Sequence, residues 1–567
     1  MTTSTAPDTT SGTDARAGSS AAVILGIGLA IFVAALCVNP VPESDLFWQL
    51  RTGELIVHNH QAPHSDIYSW TRHGTPWVAH EWLSFVILWT SFHLAGFGGL
   101  YLLTAAVALG LFTLQYRLLL RQTNSPLISF ALACLAALTM APFLQPRPQL
   151  ATYLFSLMTL STILSIRSGQ RTNRIFLLVP LFALWANLHA GVLIGLALLV
   201  IFAIGEFVGK VTSRESVDGR PVWLTLLGAA LACFAATLLT PYSYHEYQNI
   251  LSTITNSTAM NIVAEWASPD FHQPFGRQVE ILIVVLAYGM FFSRLKRGPS
   301  DILLILILIH EALNANRNVP LLAILGTVIA ASHIQSALTA HLHALNSAGE
   351  TKGETPDSLI GERVPSTIAA LIAVCAAFYG IAQASGMVRS FGPSTGSTLD
   401  RIGKTVVVYG TYPDHACAFI EKEQFPSTMR MFNIYGDGGF LTWRMPDRPV
   451  FIDSRADVYF GKTLEDYRKV SSLRYGWRDI LAEYGVDMIV VSASERQALQ
   501  YLPAPDWALV YLDYSSLDAG KPDDGQANTL ILIKREPQYA GLIDRCRRDC
   551  PAYAGARREN PDWASLQ

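Results

Sequence analysis

Eleven apolar runs, each long enough or nearly long enough to cross a bilayer, constrain this chain more than any other feature. They cover residues 22–38, 98–119, 126–144, 149–166, 174–188, 190–209, 222–240, 279–293, 301–313, 318–336 and 366–385. Only 15% of the residues are charged, whereas a soluble protein averages about 25%. The sequence therefore predicts a polytopic α-helical membrane protein, in which each helix satisfies its own backbone polar groups.

Four basic clusters predict the orientation of these runs, because lysine and arginine favour the cytoplasmic side of a membrane. They lie at 117–121, 167–174, 210–220 and 294–297. If all four are cytoplasmic, the N-terminus is inside and the shorter run 82–97 lies along the outer interface rather than spanning. We therefore expect about eleven spanning helices in the cytoplasmic (inner) membrane, with most other polar motifs on the outer side.

Composition changes along the chain predict its domains. Residues 1–20, rich in Ser, Thr and Ala, predict a disordered tail. A transmembrane module follows at 21–390 with an outer loop at 40–97, then an extracytoplasmic domain at 400–540 and a C-terminal tail at 541–567.

The 400–540 domain is predicted to be a soluble α/β domain because buried strands alternate with helices in its sequence. The predicted strands are 405–409, 430–434, 449–453, 487–491, 507–512 and 529–534, and the predicted helices are 413–423, 463–484 and 494–500.

The sequence lacks the signals of several function classes. The net charge is -3 and no basic tract indicates nucleic-acid binding. The glycine-rich segment 435–439 lacks the Lys-Ser/Thr of a phosphate-binding loop, and no metal-ligand spacing is present. Cys546 and Cys550 are spaced to form a small disulfide or to remain two thiols, and the spacing does not decide between them.

Acidic residues directly after the first apolar run form the main candidate site. Asp45 at the membrane surface could act as general base on an acceptor hydroxyl. With Glu43 it could instead bind a divalent cation, Mg²⁺ or Mn²⁺, through oxygen ligands. The structural alternative is an N-cap of the helix that follows. His80 could move a proton or contact phosphate, whereas Glu81 could simply suit the first turn of an interfacial helix.

Polar residues at the outer ends of later helices form a second group of candidates. Arg147 lies between two prolines, where its guanidinium could bind a phosphate bidentately or extend to the interface. Arg317 is a second phosphate candidate, with a salt bridge to Glu311 or Glu265 as its alternative. The segment 451–459 could bind a ligand at a strand end, but we favour a charged network that docks the C-terminal domain.

This layout of first helix, acidic outer loop, interfacial helix, further spans and outer C-terminal domain resembles the glycosyltransferase-C superfamily. Within it, the chain is similar to a branch of bacterial polytopic membrane proteins. The shared motifs are Asp45–Trp48, Asp66–Ser69, His80–Leu83, Pro146–Gln149, Trp185–Gly191 and Phe451–Tyr459.

The resemblance implies a glycosyltransferase that uses a polyprenyl-phosphate-linked sugar and an extracytoplasmic glycan, lipid or protein acceptor of the cell envelope. It implies that Asp45 is the base or metal ligand, with Glu43, His80 and Glu81 as further catalytic candidates. The candidate substrate-binding residues are Asp66, Arg147, Asn187, His189, Glu265, Glu311 and Arg317. A non-catalytic membrane scaffold or lipid- or polymer-handling protein is the alternative, and a transporter is less favoured because no internal repeat is evident.

Overall fold

The computed structural model describes residues 10–40, 43–169, 172–212, 221–256, 264–348, 365–391, 397–492, 506–512 and 529–549. Its contacts divide the chain into two compact units. The first unit is Met1–Asn39, Tyr101–Ser243 and Val263–Met387, and the second unit is Pro40–Leu100, Tyr244–Ile262 and Val388–Gln567. Three features considered from the sequence lie outside the described residues. They are residues 1–9 of the predicted tail, the predicted helix 494–500 and Cys550.

The described helices are numbered in chain order. They are α1 (Thr10–Leu36), α2 (Leu46–Asn59), α3 (Trp82–Thr123), α4 (Pro126–Met140), α5 (Gln149–Arg167), α6 (Leu178–Leu188), α7 (Val192–Thr212), α8 (Val222–Thr237), α9 (His245–Ile254), α10 (Pro274–Phe292), α11 (Pro299–Asn314), α12 (Thr327–Ala348), α13 (Ser366–Phe391), α14 (Thr398–Val407), α15 (Asp414–Lys422), α16 (Gly438–Arg444), α17 (Lys462–Ser471), α18 (Trp477–Tyr484) and α19 (Ala540–Asp549).

Each predicted apolar run falls in one of these helices or in a helical turn beside it. Among the described residues, seven helical segments are long and apolar enough to cross a membrane. They are Trp82–Thr123, Pro126–Phe143, Gln149–Arg167, Val192–Thr212, Pro274–Phe292, Asn316–Leu345 and Ser366–Val388, with shorter apolar helices at Ser20–Leu36, Asn173–Leu188 and Val222–Thr237. The predicted polytopic helical membrane protein is confirmed.

Within α3, the backbone leaves helical geometry at Ala95 and Gly96, where Gly96 has φ of 57°. This kink separates the part 82–94 from the long apolar part that follows. Glycine suits the position because it adopts positive φ without a steric penalty. The interfacial placement of 82–97 stays a prediction.

Small residues let helices of the first unit pack closely. A Cβ added to Gly205 on α7 would collide with the backbone of Ser300 on α11, and one added to Gly289 on α10 would collide with Ile334 on α12. Such close approach is a main source of helix association in membranes, where lipid is as apolar as the side chains.

A π-helical turn, Leu322–Gly326, precedes α12. The fully buried Gln115 of α3 donates its amide to the carbonyl of Ala323 (3.3 Å) and to Thr327 Oγ1 (2.9 Å). A π-turn disturbs the regular ladder of backbone hydrogen bonds, and this side chain supplies a donor at that point.

The second unit contains a four-stranded sheet in the order β1 (Met431–Asn433), β2 (Met488–Ser492), β4 (Thr529–Lys534), β3 (Trp507–Leu512). β1 pairs with β2 in parallel, whereas β4 pairs antiparallel with both β2 and β3. Four predicted strands are confirmed, and with the surrounding helices they confirm the predicted α/β character. The predicted helix 413–423 is confirmed as α15, and 463–484 forms the two helices α17 and α18.

Two predicted strands are wrong. Residues 405–407 end helix α14, since close packing of Gly403 against the backbone of Phe97 overrides the β-propensity of the valines. Residues 449–453 do not form a strand. Instead, the Val450 backbone bonds to Tyr68 and Trp70 of the outer loop (3.0 Å each), in a single parallel bridge.

A buried ion cluster links the outer loop to the C-terminal segment within the second unit. Arg455 Nη2 lies 2.6 Å from Asp66 Oδ1 and 2.6 Å from Asp453 Oδ2. All three residues are almost completely buried. The guanidinium also lies over the rings of Trp77 (4.5 Å) and Tyr68 (4.8 Å). For segment 451–459 we favoured a charged network that docks the C-terminal domain. This interpretation applies to Arg455 and Asp453.

Replacing Arg455 with methionine should lower stability by about 3–5 kcal/mol, because two buried carboxylates would lose their cation. Thermal unfolding of the purified protein measures this loss. Arg474→Met removes an exposed arginine of the same unit and should leave the unfolding temperature nearly unchanged. Equal unfolding temperatures for both variants would contradict this role of Arg455.

Candidate functional site

Asp45 stands at the start of α2, in the second unit. It occupies the N-cap position, but its side chain makes no capping hydrogen bond. Instead, Asp45 Oδ1 accepts a hydrogen bond from Trp48 Nε1 (3.2 Å). The capping alternative is therefore wrong, and the partly exposed carboxylate is oriented by the indole of the next turn.

The residues around Asp45 hold it from both sides. Glu43 Oε1 accepts the backbone N–H of Asp45 (3.0 Å), and Glu43 is 2% exposed. Trp48 Nε1 also donates to Ser454 Oγ (3.0 Å), which in turn donates to the carbonyl of Ser44 (3.1 Å). Asp45 thus lies beside segment 451–459, and Glu43 positions its backbone.

Asp457 is a second carboxyl group at this place, on the helical turn Ala456–Tyr459. Its Oδ2 accepts a hydrogen bond from Asn249 Nδ2 on α9 (3.3 Å). Burial raises the pKa of Asp457 above its ordinary value, and this increase is partly offset by the charges of His80 and Arg455 and by the Asn249 hydrogen bond.

Tyr435 shows that the two carboxyl groups share one environment. Burial raises the pKa of Tyr435 well above its ordinary value, and the negative charges of Asp45, Asp453 and Asp457 raise it further. Its hydroxyl donates to the carbonyl of Ser454 (2.7 Å). We call Glu43, Asp45, His80 and Asp457 the acidic site.

His80 and Glu81 directly precede Trp82, the first residue of α3. His80 Nε2 is 3.7 Å from Glu81 Oε1. Glu81 is only 7% exposed, whereas His80 is partly exposed and its charge reaches Asp457. His80 therefore belongs to the acidic site, and Glu81 supports it from the buried side.

Asp66 has a structural role in the ion cluster, and its predicted contact with substrate stays a prediction. Besides Arg455, its carboxylate accepts hydrogen bonds from Ser69 Oγ (2.6 Å) and from the backbone N–H of Ser69 (3.2 Å). The residue has no exposed surface, so its oxygens serve the ion cluster.

The first unit contains a separate basic site, which we define as Arg147, Glu265, Trp266 and Arg317. Arg147 forms an ion pair with Glu265. The Arg317 guanidinium stacks on Trp266, 4.5 Å from the ring centre. The salt bridge suggested for Arg317 is thus replaced by a cation–π contact. Arg147 is positioned by a tight turn, in which its N–H donates to the carbonyl of Gln145 (2.7 Å).

Glu311 lies close to this site in sequence and accepts a hydrogen bond from Asn318 Nδ2 (3.0 Å). This bond joins the last turn of α11 to the segment that follows. It gives Glu311 a helix-end contact, and its predicted role in binding substrate stays a prediction.

Asn187 and His189 form hydrogen bonds at the ends of helices. Asn187 Nδ2 donates to the carbonyls of Ala183 (2.8 Å) and Leu239 (2.9 Å). His189 Nδ1 accepts the N–H of Gly191 (2.8 Å) and lies 2.8 Å from Thr152 Oγ1. These bonds account for both residues structurally, and their predicted substrate contacts stay predictions.

The divalent cation considered for Glu43 and Asp45 stays a prediction. Within the described part of the chain, no group of three or more His, Cys, Asp or Glu side chains converges as a metal site. One oxygen of Glu43 is also used by the backbone of Asp45. The proposed reaction uses no metal ion.

Asp457, Asn249 and Tyr435 are the members of this region that sequence analysis did not single out. Asp457 was visible in the motif of segment 451–459, but its neighbour Arg455 suggested docking for the whole motif. Asn249 lies in an ordinary amphipathic helix, and only the fold brings it to a carboxyl group about 200 residues away.

No protein-family profile and no curated protein matches the chain. The chain is similar in fold to a solved structure, and this likeness fits the glycosyltransferase-C-like architecture expected from the sequence resemblance. The likeness is to the archaeal oligosaccharyltransferase AglB from Archaeoglobus fulgidus, in complex with an inhibitory peptide and a dolichol-phosphate. The TM-score is 0.53 at 12% identity, covering 92% of this chain and 77% of the AglB chain. At this identity the likeness shows the fold alone.

The raised pKa of Asp457 predicts a pH-dependent stability difference. Between the ordinary carboxyl pKa of about 4 and the raised value, the folded state holds a proton that the unfolded chain has released. Stability contributed by this group is therefore lost as the pH rises through that window. The unfolding temperature of Asp457→Asn minus that of wild type should increase from pH 4 to pH 8.

The exposed Asp447→Asn variant of the same unit is the control for loss of a carboxylate. A difference between Asp457→Asn and wild type that stays constant or decreases over this pH range would contradict a raised pKa at Asp457.

Proposed function

We propose that this protein is a membrane glycosyltransferase that transfers a sugar from a polyprenyl-phosphate-linked donor to an acceptor hydroxyl, with Asp45 as general base. The observation that carries the proposal is the placement of Asp45, whose partly exposed carboxylate is oriented by Trp48 without serving as a helix cap. The fold supports the class, since AglB is an oligosaccharyltransferase described with a dolichol-phosphate.

The proposed reaction is a single displacement. The acceptor oxygen attacks the anomeric carbon while Asp45 takes the hydroxyl proton. The bond between the anomeric carbon and the phosphate oxygen breaks, and the lipid phosphate leaves with the bonding electrons. The configuration at the anomeric carbon is inverted.

The leaving phosphate requires cationic stabilisation, because negative charge develops on it in the transition state. Arg147 and Arg317 of the basic site are the candidates for this role. Stacking on Trp266 restrains the Arg317 guanidinium, and its in-plane N–H groups can then donate to an anion. Glu265 orients Arg147.

The first functional test compares wild type with Asp45→Asn. Both proteins are offered a panel of radiolabelled polyprenyl-phosphate sugars and cell-envelope acceptors, with and without Mg²⁺ or Mn²⁺. Loss of the base should lower the transfer rate by about 10²–10⁴-fold, while Asp447→Asn should transfer at the wild-type rate.

Each other outcome of that test has a defined meaning. Equal transfer by wild type and Asp45→Asn would exclude Asp45 as base and retain the enzyme class. Transfer that strictly requires the cation would favour a metal ligand over a base at Asp45. Donor binding without transfer by any variant across the panel would favour the scaffold interpretation.

The phosphate contacts are tested by Arg147→Lys and Arg317→Lys. Lysine keeps the charge but loses the bidentate geometry and much of the stacking. A charged hydrogen bond contributes about 1.5–3 kcal/mol, so donor affinity should fall about tenfold to a hundredfold. Arg294→Lys, at an exposed arginine after α10, is the control. Unchanged donor affinity in both test variants would refute the basic site as the phosphate contact.

A further inference from the structure

Helix α9 in the second unit buries an acidic side chain and exposes large apolar ones. Glu246, Asn249 and Thr253 follow one another at helical spacing along one face. Glu246 is only 3% exposed, and Asn249 donates its hydrogen bond to Asp457. These polar residues of α9 therefore face protein, whereas His245, Gln248 and Ser252 are exposed.

The exposed side of α9 carries large apolar side chains among polar ones. Leu251 is 60% exposed and Ile254 is 52% exposed, one helical turn apart. Tyr244, seven residues before Leu251 and just ahead of the helix, is 57% exposed. A helix in water normally buries its apolar side chains and exposes its polar ones. The exposed apolar side chains of α9 therefore require an apolar surrounding.

Three observations indicate that this surrounding is a lipid bilayer. Only seven residues of the chain separate Thr237, the last residue of the apolar helix α8, from His245, the first residue of α9. Leu239, one of these seven residues, is itself 69% exposed. Tyrosine, as at position 244, is enriched at the level of lipid headgroups.

The charged residues of α9 indicate whether it would prefer anionic lipid headgroups. Helix α9 contains no lysine or arginine, and its acidic residue, Glu246, faces protein. Attraction to anionic headgroups therefore contributes little, and apolar contact provides the binding.

We propose that α9 is an interfacial membrane helix, with Tyr244, Leu251 and Ile254 in contact with lipid and Asn249 bonded to the turn that carries Asp457. One face of the helix contacts the bilayer and the other positions a carboxyl group of the acidic site. This inference depends on the membrane character of the protein and not on glycosyl transfer.

Photo-crosslinking in lipid nanodiscs tests the proposal on the full chain. The photoreactive residue p-benzoylphenylalanine replaces Leu251 or Ile254 in separate variants. Phe291, which is 78% exposed on α10, is the position expected to contact lipid in any case. Tyr475 in the second unit is fully exposed and is the aqueous control. Mass spectrometry of the irradiated peptides identifies what each position contacts.

Lipid adducts at positions 251, 254 and 291, and none at 475, are the expected result. Adduct yields at 251 and 254 should agree within about twofold between zwitterionic and anionic nanodiscs, because charge attraction is not involved. Crosslinks from 251 and 254 to a second copy, another protein or another segment of this chain would overturn the proposal. Absence of lipid adducts at both positions, while position 291 forms them, would also overturn it.

Discussion

The second unit depends on the burial of one guanidinium, that of Arg455, between two carboxylates. Asp66 and Arg455 are 389 residues apart in sequence, yet their side chains form a salt bridge with almost no exposure to solvent. Removing charges from water is costly, and such a cluster is stable only when every charge has partners. Here Ser69 and Tyr459 donate hydrogen bonds to the two carboxylates, and aromatic rings lie around the cation.

The position of the acidic site follows from this cluster. Ser454 directly precedes Arg455 and contacts Trp48, and Asp457 lies two residues after it and contacts Asn249. Holding Arg455 in place therefore brings both neighbours to the start of α2 and to α9. A structural ion pair and a candidate site are thus built from one short segment.

The candidate carboxyl groups and the candidate arginines belong to different units. Carboxyl groups belong to the second unit, where burial raises the pKa of Asp457. The arginines belong to the first unit, where each is restrained by a neighbour of different chemistry, a carboxylate for Arg147 and an indole for Arg317. A restrained guanidinium loses less conformational entropy when it binds an anion.

Sequence analysis identified the elements whose signal is local. Apolar runs predict helices in a membrane because each helix satisfies its own backbone, and strands such as 487–491 and 529–534 were found from their apolar composition. It also singled out Asp45, Arg147 and Arg317, since charges at membrane boundaries are unusual wherever they occur. It failed at 405–409 and 449–453, where packing against the outer loop decides the conformation.

The sequence by itself thus determined the membrane class, the α/β character of the C-terminal part and a set of candidate residues. Only the tertiary structure decided their roles. It joined Asp66 to Arg455, placed Asp457 beside Asn249 and buried Glu246 of α9 against protein. The physical reason is that the burial and pairing of a charge depend on partners hundreds of residues away, which no local pattern contains.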